Sequence, residues 1–298
     1  MQNPKLRLAS LAIACAALGF ATPASAQNAR SWVSSTGLDS NSCLRAAPCA
    51  TFGGAIAKTA INGQVNCADP GDYGTPTITQ SVTIDCPQGF GTVFGVVINI
   101  PTGNPNDGRR GVSLRGLNVQ RGSGIIGIEI IAAATVTLDR VQVSGGFTFG
   151  LSDHRSDSVG QLFVSNSTIE NATVGIGVAT PGTMHVVLDN VQATENSYGL
   201  AAGARARVAV RRSVFSGNTI GIEGDNGAQI SVEWSVMDHN TTGVESNMSV
   251  RLSNSDIAFN ANGVVGTAAT FGNNRFSANT VDGSLTPVGA ASSDLGER

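Results

Sequence analysis

A glycine that returns every 20 to 22 residues between residues 186 and 266 constrains the fold of the whole chain. The four glycines are Gly199, Gly221, Gly243 and Gly263. Three positions before each one stands an asparagine (Asn196, Asn218, Asn240 and Asn260), and an aliphatic residue follows each glycine directly. Looser copies upstream reach Gly127, Gly150 and Gly175. The sequence therefore predicts an array of structural repeats.

Each repeat has the pattern of short β-strands. Counted from Val186, Val208, Ile230 and Val250, apolar residues return at offset +2, near +5 and at +7, and the short runs alternate as strands do. Residues 186–266 have no helical spacing, which argues against helical repeat folds. Three strands per repeat, joined by turns, predict one coil of a parallel β-helix, with coils stacked about 4.8 Å apart.

Two corners are predicted in each coil. Pairs such as Asp189-Asn190 and Ser253-Asn254 occupy the first corner, and the repeat asparagine occupies the second. We expect the asparagine amide to bond to its own backbone and to its stacked neighbours. The repeat glycine is expected to adopt a positive φ, which it tolerates without steric cost.

With these N-x-x-G-[ILV] lines, residues 78 to 285 resemble right-handed parallel β-helix proteins of pectate-lyase-like architecture, especially bacterial secreted β-helix-repeat proteins. The resemblance implies an all-β, right-handed parallel β-helix solenoid. It also implies that polysaccharide lies along one stacked strand face. The N-terminal order of strand, Cys-rich loop, helix and D-P-G turn is similar to the cap region of the same group.

Residues 1–26 have the features of an export signal. Lys5 and Arg7 precede an apolar core, and Ala24-Ser25-Ala26 forms a cleavage site. A lipoprotein signal centred on Cys15 is the alternative. We therefore expect a secreted or periplasmic bacterial protein cleaved after Ala26, without a membrane-spanning segment.

Composition disfavours a nucleic-acid partner. Removal of Lys5 and Arg7 leaves 16 basic residues against 21 acidic ones, a net charge of −5 without a basic block. Nucleic acid requires clustered Lys and Arg to neutralise its phosphates.

Four cysteines remain after cleavage, and all precede the regular repeats. In an exported protein Cys43, Cys49, Cys67 and Cys86 predict two disulfides. Three pairings are open, of which we expect Cys43–Cys49 with Cys67–Cys86. A zinc site is the alternative, but no histidine lies in this segment.

The chain divides into a cap, the solenoid and a tail. Residues 27–77 form the predicted cap, in which 51–61 are an amphipathic helix closing the open end of the solenoid. The β-helix is predicted over 78–285, with a loop at 153–160, and a polar tail over 286–298.

The outward residues after each glycine form the first candidate site. They are Glu129, Ser152, Gly177, Ala201, Glu223, Glu245 and Val265. Stacking places Glu223 and Glu245 on adjacent coils, with Asp225 on the same face. Stacked carboxyls raise one another's pKa, hold a cation, or serve as the pair of a retaining glycosidase. The alternative is an ordinary solvated face.

The second candidate is the stretch Asp153-His154-Arg155-Ser156-Asp157. With the residues before it, it resembles the Y-G-x-D-P-H-D segment of β-helix alginate epimerases, although the Pro is absent and the Asp is shifted by one place. Such chemistry needs a base for the C5 proton and a cation for the enolate, which His154 and Arg155 would supply. The alternative is a plain polar loop.

Two further groups have simpler interpretations. Asp238-His239 resembles the W-I-D-H segment of pectate lyases in its Asp-His pair, and we expect it to decorate a corner. The arginines Arg121, Arg140, Arg205, Arg207, Arg211 and Arg212 would bind uronate carboxylates or solvate the surface, the second being the default.

These patterns predict an exported module that contacts polysaccharide without strong catalysis. The alternatives are a polysaccharide lyase, epimerase or glycoside hydrolase, and an adhesin with a flat face for a partner protein. The scarcity of tryptophan and tyrosine weakens the hypothesis of a tight carbohydrate binder. No cofactor is predicted, except calcium if the protein is a lyase, and the oligomeric state is left open.

Overall fold

The computed structural model describes residues 27–225 and 227–288, which form a right-handed parallel β-solenoid of about nine turns. The predicted export signal and the residues from 289 onward lie outside the described part of the chain. Among the described residues, no helix has the length and apolar character needed to cross a bilayer.

Each coil contributes strands to three parallel faces. Face A comprises Thr77–Ile78, Val96–Asn99, Ile126–Ala132, Phe147–Asp153, Ala172–Val178, Tyr198–Ala202, Ile220–Gly224 and the first parts of Thr242–Ser253 and Asn262–Gly272. Face B comprises Asn28–Val33, Thr59–Cys67, Val82–Asp85, Gly111–Arg115, Thr135–Asp139, the first parts of Val159–Glu170 and Thr183–Thr194, then Ala206–Arg211, Gln229–Glu233, the last parts of Thr242–Ser253 and Asn262–Gly272, and Leu285–Pro287.

Face C comprises Gly71–Asp72, Gly91–Val93, Leu117–Gln120, Gln142–Ser144, the last parts of Val159–Glu170 and Thr183–Thr194, and then Val214–Ser216, Val236–Asp238, Asp256–Ala258 and Arg275–Ser277. The predicted three strands per coil are thus confirmed. Aliphatic side chains from all three faces fill the interior, as Leu200, Val210 and Phe215 do within one coil.

The repeat asparagines form a buried ladder at the corner between faces C and A. The Nδ2 of Asn218 donates to Oδ1 of Asn240 (3.1 Å) and to the carbonyl of Ala193 (3.0 Å). The backbone N–H of Asn218 donates to the same Oδ1 (2.9 Å). The pattern continues from Asn196 through Asn260 to Asn279. The predicted bonds between stacked asparagines are confirmed, whereas the backbone carbonyls that the amides reach belong to the preceding coil and not to the asparagine's own turn.

A second ladder stands at the corner between faces B and C. Offset +5 holds a buried serine in three of the four regular repeats (Ser213, Ser235 and Ser255), not an apolar residue. The hydroxyl of Ser235 accepts from the N–H of Ser213 (3.1 Å) and donates to the carbonyl of Glu233 (2.9 Å). Val214 and Val236 follow two of these serines directly, and we assigned the apolar pattern near this offset without recognising the serines.

The prediction of a positive φ at the repeat glycines is wrong. Those residues are absent from the left-handed backbone positions, which fall instead at corner residues such as Asn190 (φ 55°) and Asn254 (φ 47°). Glycine is required because the coils approach closely there. A Cβ on Gly221 would lie 2.5 Å from the carbonyl oxygen of Gly243 on the next coil.

The N-terminal cap contains a short helix and two disulfides. Helix α1 spans Phe52–Lys58, and the Thr51 hydroxyl caps it by accepting from the N–H of Gly54 (2.9 Å). The helix ends before the predicted Ile61 because residues from Thr59 onward pair with the first strand. Both expected disulfides, Cys43–Cys49 and Cys67–Cys86, are present.

The solenoid extends slightly beyond its expected end. Leu285–Pro287 pairs with Ala268–Thr270, so the first residues assigned to the polar tail belong to face B.

We predict that replacing Asn240 with alanine lowers the free energy of unfolding by about 3 kcal/mol. The change leaves the buried N–H of Asn218 and the carbonyl of Phe215 without partners, at about 1–3 kcal/mol for each buried group. Urea denaturation measures the effect. The control is Asn190→Gly, which keeps an exposed left-handed corner and loses one surface bond to Asn166. Equal losses in the two variants would contradict the role of the ladder.

Candidate functional site

The row of outward residues predicted on face A is confirmed by the strand register. Glu129 pairs with Ser152, Ser152 with Gly177, Gly177 with Ala201, Ala201 with Glu223, Glu223 with Glu245, and Glu245 with Val265. Small residues occupy the middle of the row and carboxylates lie on either side. This arrangement leaves a depression along the face.

That depression, here called the face A groove, is a cavity of about 400 Å³ with Ser152, Gly177 and Ala201 on its floor. The apolar side chains of Ile126, Phe149 and Val174 form one wall, and Ala179 and Gly203 form the other. The Phe149 ring lies against Gly177, where a Cβ would be 3.1 Å from the ring. The groove therefore exists because its central coils carry almost no side chain.

A histidine–glutamate pair closes the N-terminal end of the groove. The Nε2 of His154 lies 3.0 Å from Oε1 of Glu129, one coil earlier. Both side chains are partly exposed, at 42% and 26%. We placed Glu129 in the outward row but did not recognise it as the partner of His154. The signal was available, because Glu129 stacks on Ser152, two residues before His154.

The residues on either side of His154 are buried and structural. Asp153 and Arg155 form an ion pair through Nε–Oδ1 (2.8 Å) and Nη2–Oδ2 (2.6 Å), and both side chains are fully buried. Arg155 also donates to the carbonyl of Ala133 (2.8 Å). The cationic role considered for Arg155 is therefore wrong in this geometry, because no substrate reaches its guanidinium.

Asp157 is also occupied by structural contacts. Both of its carboxylate oxygens accept from Nη2 of Arg110 (2.8 and 2.9 Å), and one accepts from the N–H of Ala133 (3.1 Å). Of the predicted loop site, only His154 faces the groove. Its neighbours fix the backbone that presents it.

Carboxylates form the other end of the groove. Glu223 and Asp225 line the cavity, and Glu245 continues the row on the next coil, with its Cα about 4.8 Å from that of Glu223. Partial burial, followed by the nearby charges of Asp225 and Glu245, raises the pKa of Glu223. The predicted mutual effect of stacked carboxyls on pKa is therefore present at Glu223.

The remaining candidates lie outside the groove. His239 stands at the corner between faces C and A with φ 53°, as expected, and stacks on Phe259 with ring centroids 5.2 Å apart. Arg207 and Arg211 lie on face B, and Arg212 is paired with Asp189. The two candidate sites on face A, in contrast, share one cavity.

The chemistry of the groove is that of hydrogen-bond acceptors beside an apolar wall. Within residues 27–225 and 227–288, no three His, Cys, Asp or Glu side chains are grouped so as to hold a metal ion. The carboxylates accept hydrogen bonds from hydroxyl or amine donors, and His154 donates or accepts according to its tautomer.

Comparison with known proteins agrees with this architecture. A family model described as a right-handed β-helix region matches residues 153–293. None of the curated proteins matches the chain in sequence. The chain thus folds as a right-handed parallel β-helix.

Two solved structures illustrate the likeness of fold. The pectate lyase Pel9A has a TM-score of 0.58 and 17% identity, with 90% of this chain and 80% of the lyase covered. The A-module of mannuronan C-5 epimerase AlgE4 from Azotobacter vinelandii has a TM-score of 0.53 and 17% identity, with 72% of this chain and 68% of the module covered. At these identities the likeness concerns the fold alone.

We predict that Arg155→Met lowers the free energy of unfolding by about 3–5 kcal/mol, since it leaves the Asp153 carboxylate buried without a counter-charge. Urea denaturation measures the loss. The double variant Asp153→Asn with Arg155→Met removes the isolated charge and is expected to recover part of the stability. Unchanged stability in the single variant would show that the pair has no structural role.

We also predict that Glu223→Gln is more stable than the wild type at pH 7. Folding raises the pKa of Glu223, so the folded state favours the protonated form, and this carboxyl opposes folding once the pH exceeds its folded pKa. The advantage of the variant should shrink as the pH falls towards 4.5, the ordinary value.

Thermal melting from pH 4 to 8 measures this difference. The control is Glu195→Gln, which makes the same replacement at an exposed corner. A stability difference for Glu223→Gln that stays constant with pH would contradict the assignment.

Proposed function

We propose that this is an exported protein that binds a neutral polysaccharide along the face A groove, without strong catalysis. The observation that carries the proposal is the groove itself, with the Phe149 ring and aliphatic side chains on one wall and carboxylates at both ends. The signal-like residues 1–26 and the two disulfides support export.

The shape of the groove suits a chain molecule. It follows the solenoid axis, and four coil steps separate Glu129 from Glu223, or about 19 Å at the usual strand spacing. Sugar rings have apolar faces that pack on side chains such as Phe149. Their hydroxyls donate to carboxylates, and charge-assisted bonds of this kind are strong. The pectate lyase and mannuronan epimerase of similar fold add support for a polysaccharide ligand.

The charge of the groove favours a neutral polymer over a uronate. Glu129, Glu223 and Asp225 line the cavity, and the described residues lining it include no lysine or arginine. A polyuronate would place its carboxylates beside these groups and be repelled, most strongly at low salt. Five of the six arginines considered for uronate binding lie on face B or its corners, and Arg121 lies at the corner between faces C and A. None of the six lines the groove.

The spacing of the titratable groups favours binding over catalysis. Three coil steps, or about 14 Å, separate His154 from Asp225, too far for both to act on one glycosidic bond. Glu223 and Glu245 are the pair with the separation of a retaining glycosidase, but Glu245 does not line the cavity. A flat adhesin face is less well supported because face A is concave.

We predict that Ala201→Trp abolishes binding of neutral oligosaccharides in the face A groove by filling its floor. The matched control is Ala209→Trp, which places the same side chain on face B of the same coil at similar partial exposure. Calorimetry with hexaoses of glucose, xylose and mannose, and with oligogalacturonate and oligoalginate, measures affinity. Neutral ligands should occupy the groove in the wild type and in Ala209→Trp, and the number of ligands bound per molecule should be lower in Ala201→Trp.

Two outcomes would change this proposal. Equal binding by the Ala201→Trp and Ala209→Trp variants would contradict the groove as the site. New reducing ends produced by the wild type but not by Glu223→Gln would replace the binding module with a glycoside hydrolase that uses Glu223 as its acid.

A further inference from the structure

A solvent-exposed tryptophan stands at the corner between faces B and C, on the side of the solenoid opposite face A. Trp234 is 63% exposed and has a backbone φ of 53°. In the same corner position, neighbouring coils carry Asn190, Arg212, Asn254 and Asn273, all with positive φ. Trp234 is thus a bulky aromatic residue at a turn position that suits asparagine.

The backbone alone does not explain this choice of residue. The left-handed conformation is unfavourable for bulky side chains, whereas asparagine adopts it readily. Burial of the Trp234 side chain does not offset this backbone cost, since most of its surface faces solvent. A residue held in an unfavourable conformation with its side chain exposed suggests that the exposed surface has a use.

The indole borders a concave site with polar partners. A cavity of about 400 Å³ lies between Trp234, Asn254, Asn273 and the ion pair of Asp256 with Arg275. In that pair, Nε of Arg275 lies 2.6 Å from Oδ1 of Asp256. Hydrogen bonding to Arg275 holds the pKa of Asp256 below its usual value, so the pair is charged at neutral pH.

These groups match the chemistry of a sugar ring better than that of an apolar protein partner. The flat indole offers a surface for the apolar face of a pyranose. The amides, carboxylate and guanidinium around it offer donors and acceptors for hydroxyls in several directions. An apolar partner would have to desolvate the ion pair and both amides without replacing their hydrogen bonds.

We propose that the corner pocket of Trp234, Asn254, Asp256, Asn273 and Arg275 is a second saccharide-binding site, for a neutral pyranose stacked on the indole. The pocket is separate from the face A groove and does not depend on it. With both sites occupied, one molecule holds two polysaccharide strands on opposite sides of the solenoid. The protein then acts as a cross-bridge between polymer chains.

The test uses Trp234→Asn, which installs the residue found at this corner in the next two coils, Asn254 and Asn273. We expect this variant to melt at the same temperature as the wild type or higher. In a Trp32→Phe background, Trp234 is the only tryptophan left, so its fluorescence reports on the pocket. Neutral hexaoses of glucose, xylose, mannose, galactose and N-acetylglucosamine are titrated, and at least one should change the emission.

Affinity for that hexaose at the corner should fall about tenfold or more in Trp234→Asn. The fluorescence change of Trp234 should persist in Ala201→Trp. Because that substitution adds a tryptophan, the emission of the double variant Ala201→Trp with Trp234→Asn is subtracted. Loss of the groove and loss of the corner pocket are therefore distinguishable.

Two results would overturn the proposal. One is unchanged fluorescence with every hexaose. The other is equal affinity for a hexaose of Ala201→Trp and of the double variant Ala201→Trp with Trp234→Asn, in both of which the groove is blocked.

Discussion

The structure depends on a constant approach of one coil to the next. Strand pairing fixes that distance near 4.8 Å, and the corners must satisfy their backbone groups at the same spacing. The asparagine ladder does so between faces C and A, because each amide bonds both to the next asparagine and to a backbone carbonyl of another coil. Beside it, the repeat glycines leave room for the carbonyls that face them.

This stacking brings residues that are one repeat apart in sequence next to each other on one face. Residues 25 positions apart, such as Glu129 and His154, become hydrogen-bonded neighbours. In the same way Arg110 reaches Asp157 across two coils, and this pair, with the buried Asp153–Arg155 pair, secures the loop that carries His154. The groove forms for the same reason, because small residues stacked on adjacent coils leave a continuous depression between two acidic ends.

Much of this could be predicted from the sequence, because the repeat is periodic. The three strands per coil, the asparagine corner and the outward row from Glu129 to Val265 all follow from offsets within the repeat. The reason for the glycines could not be predicted, since glycine suits both a positive φ and a close approach. Only the positions of the stacked carbonyls distinguish these explanations.

The candidate site was predicted less completely for a related reason. Whether Arg155 faces solvent or the interior depends on how the loop after Asp153 turns, and that turn interrupts the repeat. The serine ladder was missed because the first regular repeat has Val191 at this position and a valine follows Ser213 and Ser235, which suggested an apolar position. Helix α1 ends early because pairing of Thr59–Cys67 with the first strand overrides its helical spacing.

The two sides of the solenoid carry different chemistry. Face A has an acidic groove with an apolar wall, and the opposite corner carries Trp234 beside an ion pair. The central claim is that a neutral polysaccharide lies in the groove. Hydrogen–deuterium exchange of the intact protein, with and without a neutral hexaose that binds, tests it most directly. We expect added protection in Phe147–Asp153, Ala172–Val178 and Tyr198–Ala202, whereas protection confined to faces B and C would contradict binding in the groove.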